Sequence, residues 1–194
     1  MEFIDFRLPA EGFAQPLMLW MACHQRGQRV ALLLQRLFSH LAEHGPSDAT
    51  RVTAAEITRY LEEAAPRHHA DEDVDLFPRL RQRMDDYAGP PSVVGAVTGA
   101  LDRMAHDHAQ LEDLWGRVRA ALRHADQARP SADHLACVEQ FVGSFIHHHQ
   151  AEDQTIGQAA PLLLQPQDLA EIGAAMAARR GTTWAALSMP KGCA

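Results

Sequence analysis

The chain is short of the residues on which several protein classes depend. Its 3 cysteines, Cys23, Cys137 and Cys193, are odd in number and far apart. They offer no CxxC pair and no disulfide framework, as expected of a protein kept in a reducing cytoplasm. Basic residues are outnumbered, 18 Lys and Arg against 25 Asp and Glu, for a formal net charge of −7 with His neutral. A nucleic-acid partner calls for the opposite footprint, so none is expected. No uninterrupted apolar run approaches the roughly 18 residues of a membrane span, and the opening MEFIDFRLPAEGF carries early acids and no apolar signal-peptide core. Strand signals are equally thin, with no sustained alternation and little clustering of Val, Ile or Thr. What is abundant is histidine: 12 residues in a chain with 2 Tyr and 7 Phe.

Proline and glycine divide the remainder. Gly45-Pro46-Ser47, Gly89-Pro90-Pro91 and Arg129-Pro130-Ser131 separate four long segments rich in Ala, Leu, Arg, Glu and Gln, each with helical periodicity. The first runs from about Pro16 to His44. The second runs from Asp48 to about Asp85, capped by Ser47 or Asp48, and the third from about Pro91 to Ala125. The fourth starts after Ser131, a good N-cap, and ends near Leu164. Pro66 should kink or interrupt the second segment just ahead of His68. A shorter helix is expected over Gln167–Arg180, followed by a tail. Short connections make neighbours antiparallel, so the expected fold is all-α: an up-down-up-down four-helix bundle over 16–164, preceded by an N-terminal segment (1–15) and followed by a C-terminal helix and tail (165–194).

An α-helix turns about 100° per residue, so apolar neighbours identify the histidines that face inward. His108 continues the row Leu101, Met104, Leu111, Trp115, Val118, Leu122. His148 and Glu152 continue Leu135, Val138, Phe141, Phe145 and lead to Ile156. His68 and Glu72 extend Ala54, Ile57, Leu61, Ala64, and His24 shares a face with Leu17, Met21, Ala31, Leu34, Phe38 and Leu41. His69, His106, His147 and His149 fall beside these rows and read as outer or surface groups, with His69, which shares a competing register with Asp73, the exception to expect. His40, His44, His124 and His134 fall near the closed end, where solvated helix ends are expected. Asp71, Asp73 and Asp75 read as a solvated acidic face.

The heights agree as well. His24 and His68 each lie 22 residues from Pro46, and His108 and His148 each lie 20 residues from Ala128. Two antiparallel hairpins would therefore place four imidazoles in one layer, about 30 Å from the closed end. Inward imidazoles and carboxylates are costly unless paired, and a cation pairs them. HxxxE puts both ligands on one helix face, one turn apart, so Glu72 and Glu152 could each reach between two metals. Imidazole with carboxylate and no thiolate favours iron, manganese or zinc.

Four pieces carry a family likeness: ACHQR at His24, HHADEDVDLFP from His68 to Pro78, HDHAQLE around His108 and HHHQAED around His148. With these in order over Pro16 to Leu164, the chain resembles the hemerythrin-like, or HHE cation-binding, family. The resemblance implies a four-helix bundle around a non-haem di-iron centre, with His24, His68, Glu72, His108, His148 and Glu152 as metal ligands. The implied partner is O2, NO or peroxide, and iron storage or donation is an allied role. Peroxide or NO reduction, or iron–sulfur repair, is the enzymatic alternative. A homodimer is compatible with this reading. Two departures stand out. Met104 and Glu112 sit four before and four after His108, where oxygen carriers have a second histidine. Carriers also place an acid five residues after the fourth-helix His, at Asp153 here, whereas Glu152 lies on the apolar row. Gly27, one turn after His24, leaves space beside the metal that either a small ligand or helix packing would use.

Overall fold

A computed structural model describes residues 10–182, and every regular element among them is helical. The first nine residues of the expected N-terminal segment, and the tail beyond Thr182 with Cys193, lie outside the described residues. After a 3-10 turn at Ala10–Ala14 come α1 (Pro16–His44), α2 (Asp48–Arg59), α3 (Ala65–Ala70), α4 (Phe77–Asp85), α5 (Pro91–Ala125), α6 (Ala132–Leu163) and α7 (Pro166–Arg179). Among the described residues no helix is long and apolar enough to cross a membrane.

The starts reflect cap chemistry. Ser47 accepts from the Thr50 N–H while Thr50 Oγ1 accepts from the Ser47 N–H, and Ser131 and His134 form the same reciprocal pair ahead of α6. Such caps satisfy backbone donors that the first helical turn leaves without partners. α1, α5 and α7 begin on proline, whose missing N–H costs nothing there.

Helices α2, α3 and α4 form one rod, joined by π-helical turns at Tyr60–Ala64 and Asp71–Leu76. The Ala65 N–H reaches back to Tyr60 O, and the Phe77 N–H to Glu72 O. Each of these wide turns falls immediately before a proline, Pro66 or Pro78. A proline inside a tight helix has no N–H to donate and its ring meets the carbonyl four residues back, and the wider turn relieves both. The rod is thus widened, where an interruption was expected at Pro66. Each inserted residue rotates the part of the helix beyond it, and so Ala65, rather than Ala64, is buried.

Two apolar cores lie on either side of a polar layer. One packs Val30, Leu34, Phe38, Ile57, Leu61, Val118, Val138 and Phe141; the other packs Trp20, Leu76, Leu80, Leu101, Met104, Ile156 and Met176. Trp20 lies inward, on the row 20, 24, 27, 31, 34, whereas Met21, expected inward, is exposed. At one end Arg129 donates to the carbonyls of Ala42 and Glu43 (2.8 and 2.7 Å), and Arg51 donates to Asp126 at 2.8 Å. These bonds set the turn at 45–47 beside the turn at 126–131.

Candidate metal centre

The polar layer gathers all six residues singled out by spacing. His24, Glu72 and Glu152 are fully enclosed, and His68, His108 and His148 are buried. His149 is buried too, at 1% exposure, and His69 is largely enclosed. His149 was expected outside, and the structure corrects this; His69, in register with Asp73, was the expected exception. The doublets at 68–69 and 148–149 each stand in the same run, HHxxED. Adjacent helical residues differ by about 100°, yet the layer is broad enough for both members of each doublet to enter it. His106 and His147 are exposed, as are His40, His44 and His124, while His134 is partly covered.

The groups divide around the two glutamates. On one side His24, His68 and His149 stand with Glu152, their ligand atoms within 4.8 Å of one another; on the other His69, His108 and His148 form an equally close set. A third close set, Glu72, His108 and Glu152, joins both acids to the second side. The rings repeat one pattern. His24 meets His68 edge-on at 4.8 Å and stacks on His149 at 4.5 Å. His108 meets His148 edge-on at 4.8 Å and stacks on His69 at 4.1 Å. Each doublet therefore sends its first histidine to one side and its second to the other.

Outer groups orient the first ones. His24 Nδ1 donates to Asp153 at 2.7 Å and His108 Nδ1 donates to Asp73 at 3.1 Å. This fixes the tautomer and turns each Nε2 inward, the arrangement that second-shell carboxylates impose on metal-bound histidine. Trp20 Nε1 donates to Glu72 at 2.6 Å. Gly27 does not leave free space: a Cβ there would come within 3.0 Å of both His149 and Phe145, so its role is to let those rings pack. The acidic face is also corrected. Asp71 is buried and receives two hydrogen bonds from Arg180 (2.6 and 3.1 Å) and one from Arg179, which also reaches Asp75 at 2.7 Å. Burial raises the Asp71 carboxyl pKa against the pull of both arginines.

Burial sets much of the charge pattern of the metal-free protein. Burial holds His148 down to about 3 and His69 to about 4, and lowers His68 and His149 well below the ordinary imidazole range. Those four are neutral near pH 7, the form that binds metal. Burial also works against charging His24 and His108. The Asp153 and Asp73 hydrogen bonds and the nearby Glu72 outweigh it, raising His24 and taking His108 to about 9. Burial alone would raise Glu72, but His68 and the other imidazoles hold it well below the carboxylate range. Glu152, buried and facing Glu72, is pushed well above it.

Whether the layer fits a cation can be judged from its unpaired atoms. Both ring nitrogens of His68, His148 and His149, Nε2 of His69 and His108, one oxygen of Glu72 and both of Glu152 are buried without a hydrogen-bond partner. His68 Nε2 approaches Glu72 to 3.1 Å and His148 Nε2 approaches Glu152 to 3.3 Å, neither with hydrogen-bond geometry. An unpaired buried polar group costs about 1–3 kcal/mol, so this many in one layer calls for a shared partner. Cations meet that need, and the donors are all nitrogen and oxygen.

The chain is 27% identical over 168 residues to a protein of Haemophilus influenzae described only as uncharacterized, which covers 86% of this chain and 90% of that protein. The profile of the hemerythrin HHE cation-binding domain matches residues 16–160, which is most of the chain, and the protein belongs to that family.

Proposed function

We propose that the protein is an up-down-up-down four-helix bundle over 16–164 that holds two iron ions in its central layer and presents one of them to O2, NO or peroxide. Residues 165–182 add a helix that closes one flank. His24, His68 and His149 would hold one ion and His69, His108 and His148 the other, with Glu72 and Glu152 completing the donor set, as carboxylates do in di-metal bundle sites. The single observation that carries this reading is the convergence of orphaned imidazole and carboxylate atoms in one buried layer. Manganese or zinc would suit the same donors.

The protein's own groups have separable tasks. Asp153 and Asp73 orient His24 and His108, and Trp20 fixes the free rotation of the Glu72 carboxylate. The apolar cores above and below exclude water, which strengthens every charge interaction in the layer. Two ferrous ions held there would supply a pair of electrons and a vacant coordination position for a small ligand. Reversible binding, iron storage and enzymatic reduction differ in the fate of that ligand and of the electrons. Anaerobic ferrous protein exposed to O2 or NO should give a visible absorption band. A band that reverses on purging supports binding, whereas steady consumption of peroxide or NO with a reductant supports the enzymatic alternative. Absence of any band with metal retained would contradict both.

A further inference from the structure

α5 packs along α6 and touches α4, but opposite residues 61–74 a cleft of about 740 Å³ opens between α5 and the α2–α4 rod. Its walls are mostly apolar, with Leu61, Ala65, Leu111, Trp115, Phe141 and Phe145, and His69 and His108 also line it. Water takes up about 30 Å³ per molecule in the liquid, so the volume is far larger than O2, NO or peroxide requires. It lies within the roughly 300–1,000 Å³ of pockets that hold organic ligands.

Charge at the cleft narrows the class. Glu62, Asp73 and Glu112 line it, and Arg119, the single Lys or Arg among its lining residues, is engaged by Glu62 at 3.1 Å. Asp73 is likewise paired, with His108 at 3.1 Å, so an anion entering there would meet the remaining carboxylate, Glu112, and lose its own hydration. An apolar body, by contrast, gains about 25 cal/mol for each Å² it hides from water.

We propose that this cleft binds a neutral organic molecule with an apolar body and one oxygen donor directed at the His69–His108 face of the metal layer. The direction of the donor rests on the proposed metal site; the apolar pocket does not. A hydroperoxide, alcohol or carbonyl compound has the stated chemistry.

The test uses the full chain and 1-aminoanthracene, a neutral fluorophore that brightens in apolar surroundings. Its emission should rise saturably, and 1-nonanol should displace it at least about tenfold more effectively than nonanoate, a difference of about 1.4 kcal/mol. Ala109 lines the cleft but is exposed on α5, so Ala109→Phe fills the space without disturbing either core. It should weaken the probe about tenfold or more with melting temperature unchanged. Ala105→Phe, also exposed and one turn earlier, provides a second filling variant. No saturable emission, both variants binding like the parent, or nonanoate competing as well as nonanol would overturn the proposal. Metal content measured on the same samples keeps the two readings apart. Low metal with intact nonanol displacement would sink the di-iron site alone, and full metal without probe binding would sink the cleft alone.

Discussion

His24, His68 and His149 stand to one side of the glutamate pair as His108, His148 and His69 stand to the other, with the same edge-on and stacked ring contacts. The surroundings break that likeness. Four residues before His24 is Trp20, which donates to Glu72; four before His108 is Met104, which has no such donor, and Glu152 keeps two unpaired oxygens. Asp71 recruits Arg179, the last residue of α7, and Arg180 just after it, while the equivalent position in the second HHxxED run is Ala151. The first side is backed by Asp153, which is 29% exposed, and the second by Asp73, which is 46% exposed beside the cleft. One arrangement of histidines can thus be built twice, with one copy more enclosed and the other beside a cleft. The difference comes from single residues outside the six histidines and two glutamates.

Substitutions can break or sharpen that contrast. The largest effect is expected from Glu72→Ala, because the acid serves both sides. The variant should retain well under one ion per chain. It should also lose the metal-linked stability, about 4 kcal/mol when free metal is a thousand times its Kd, as read by melting with and without ferrous iron. Two ions retained would show that the acid is not shared. Next come His149→Ala and His69→Ala. Each should keep one ion of two, but the fully enclosed His149 should cost about 2–4 kcal/mol in urea unfolding of the metal-free protein, His69 less, because truncation of a buried ring leaves a cavity. Equal losses would erase the distinction between the more enclosed side and the side beside the cleft.

Gly27→Ala should push His149 and Phe145 apart. Overpacking of this kind costs about 1–3 kcal/mol, offset by the better helix propensity of Ala, about 0.8–1 kcal/mol. A net loss near 1 kcal/mol with reduced occupancy of one ion is expected, and a stabilised variant with full occupancy would contradict the packing role. Asp168 tests the closing helix. Its carboxyl caps α7 and pairs with Arg83 at 2.7 Å, and that hydrogen bond holds its pKa below the ordinary range. A depressed carboxylate stabilises the fold above the unfolded-state pKa, about 3.9, and the contribution disappears as pH falls through the lower folded value. Asp168→Asn should therefore lower Tm by about 2–4 °C at pH 7 and approach the parent in acid. A difference that grows in acid would reverse the sign. The smallest effect belongs to His106→Ala: the ring is exposed, so stability should stay within about 0.5 kcal/mol and metal content should not change.

Much of the fold was legible because caps and three-and-four spacing are local. Ser47, Pro91 and Ser131 mark helix starts through backbone chemistry within a few residues, and His24, His68, His108 and His148 lie on rows that apolar neighbours define. His69 and His149 escaped that logic because row membership assumes one inward residue per turn, whereas the layer spans enough of the bundle to admit two. The repeated HHxxED run was the available signal. Pro66 announced a disturbance but not its form, since a kink and a widened turn satisfy the same missing N–H. The burial of Asp71 had no local sign at all: its partners lie more than a hundred residues away, at the C-terminal end of α7.

The most direct measurement is the metal content of the full chain after anaerobic loading with ferrous iron and desalting. Two ions per chain are expected, falling to about one in His149→Ala and in His69→Ala, because each set of three imidazoles would hold one ion. Well under one ion per chain in the parent protein would contradict the existence of the site.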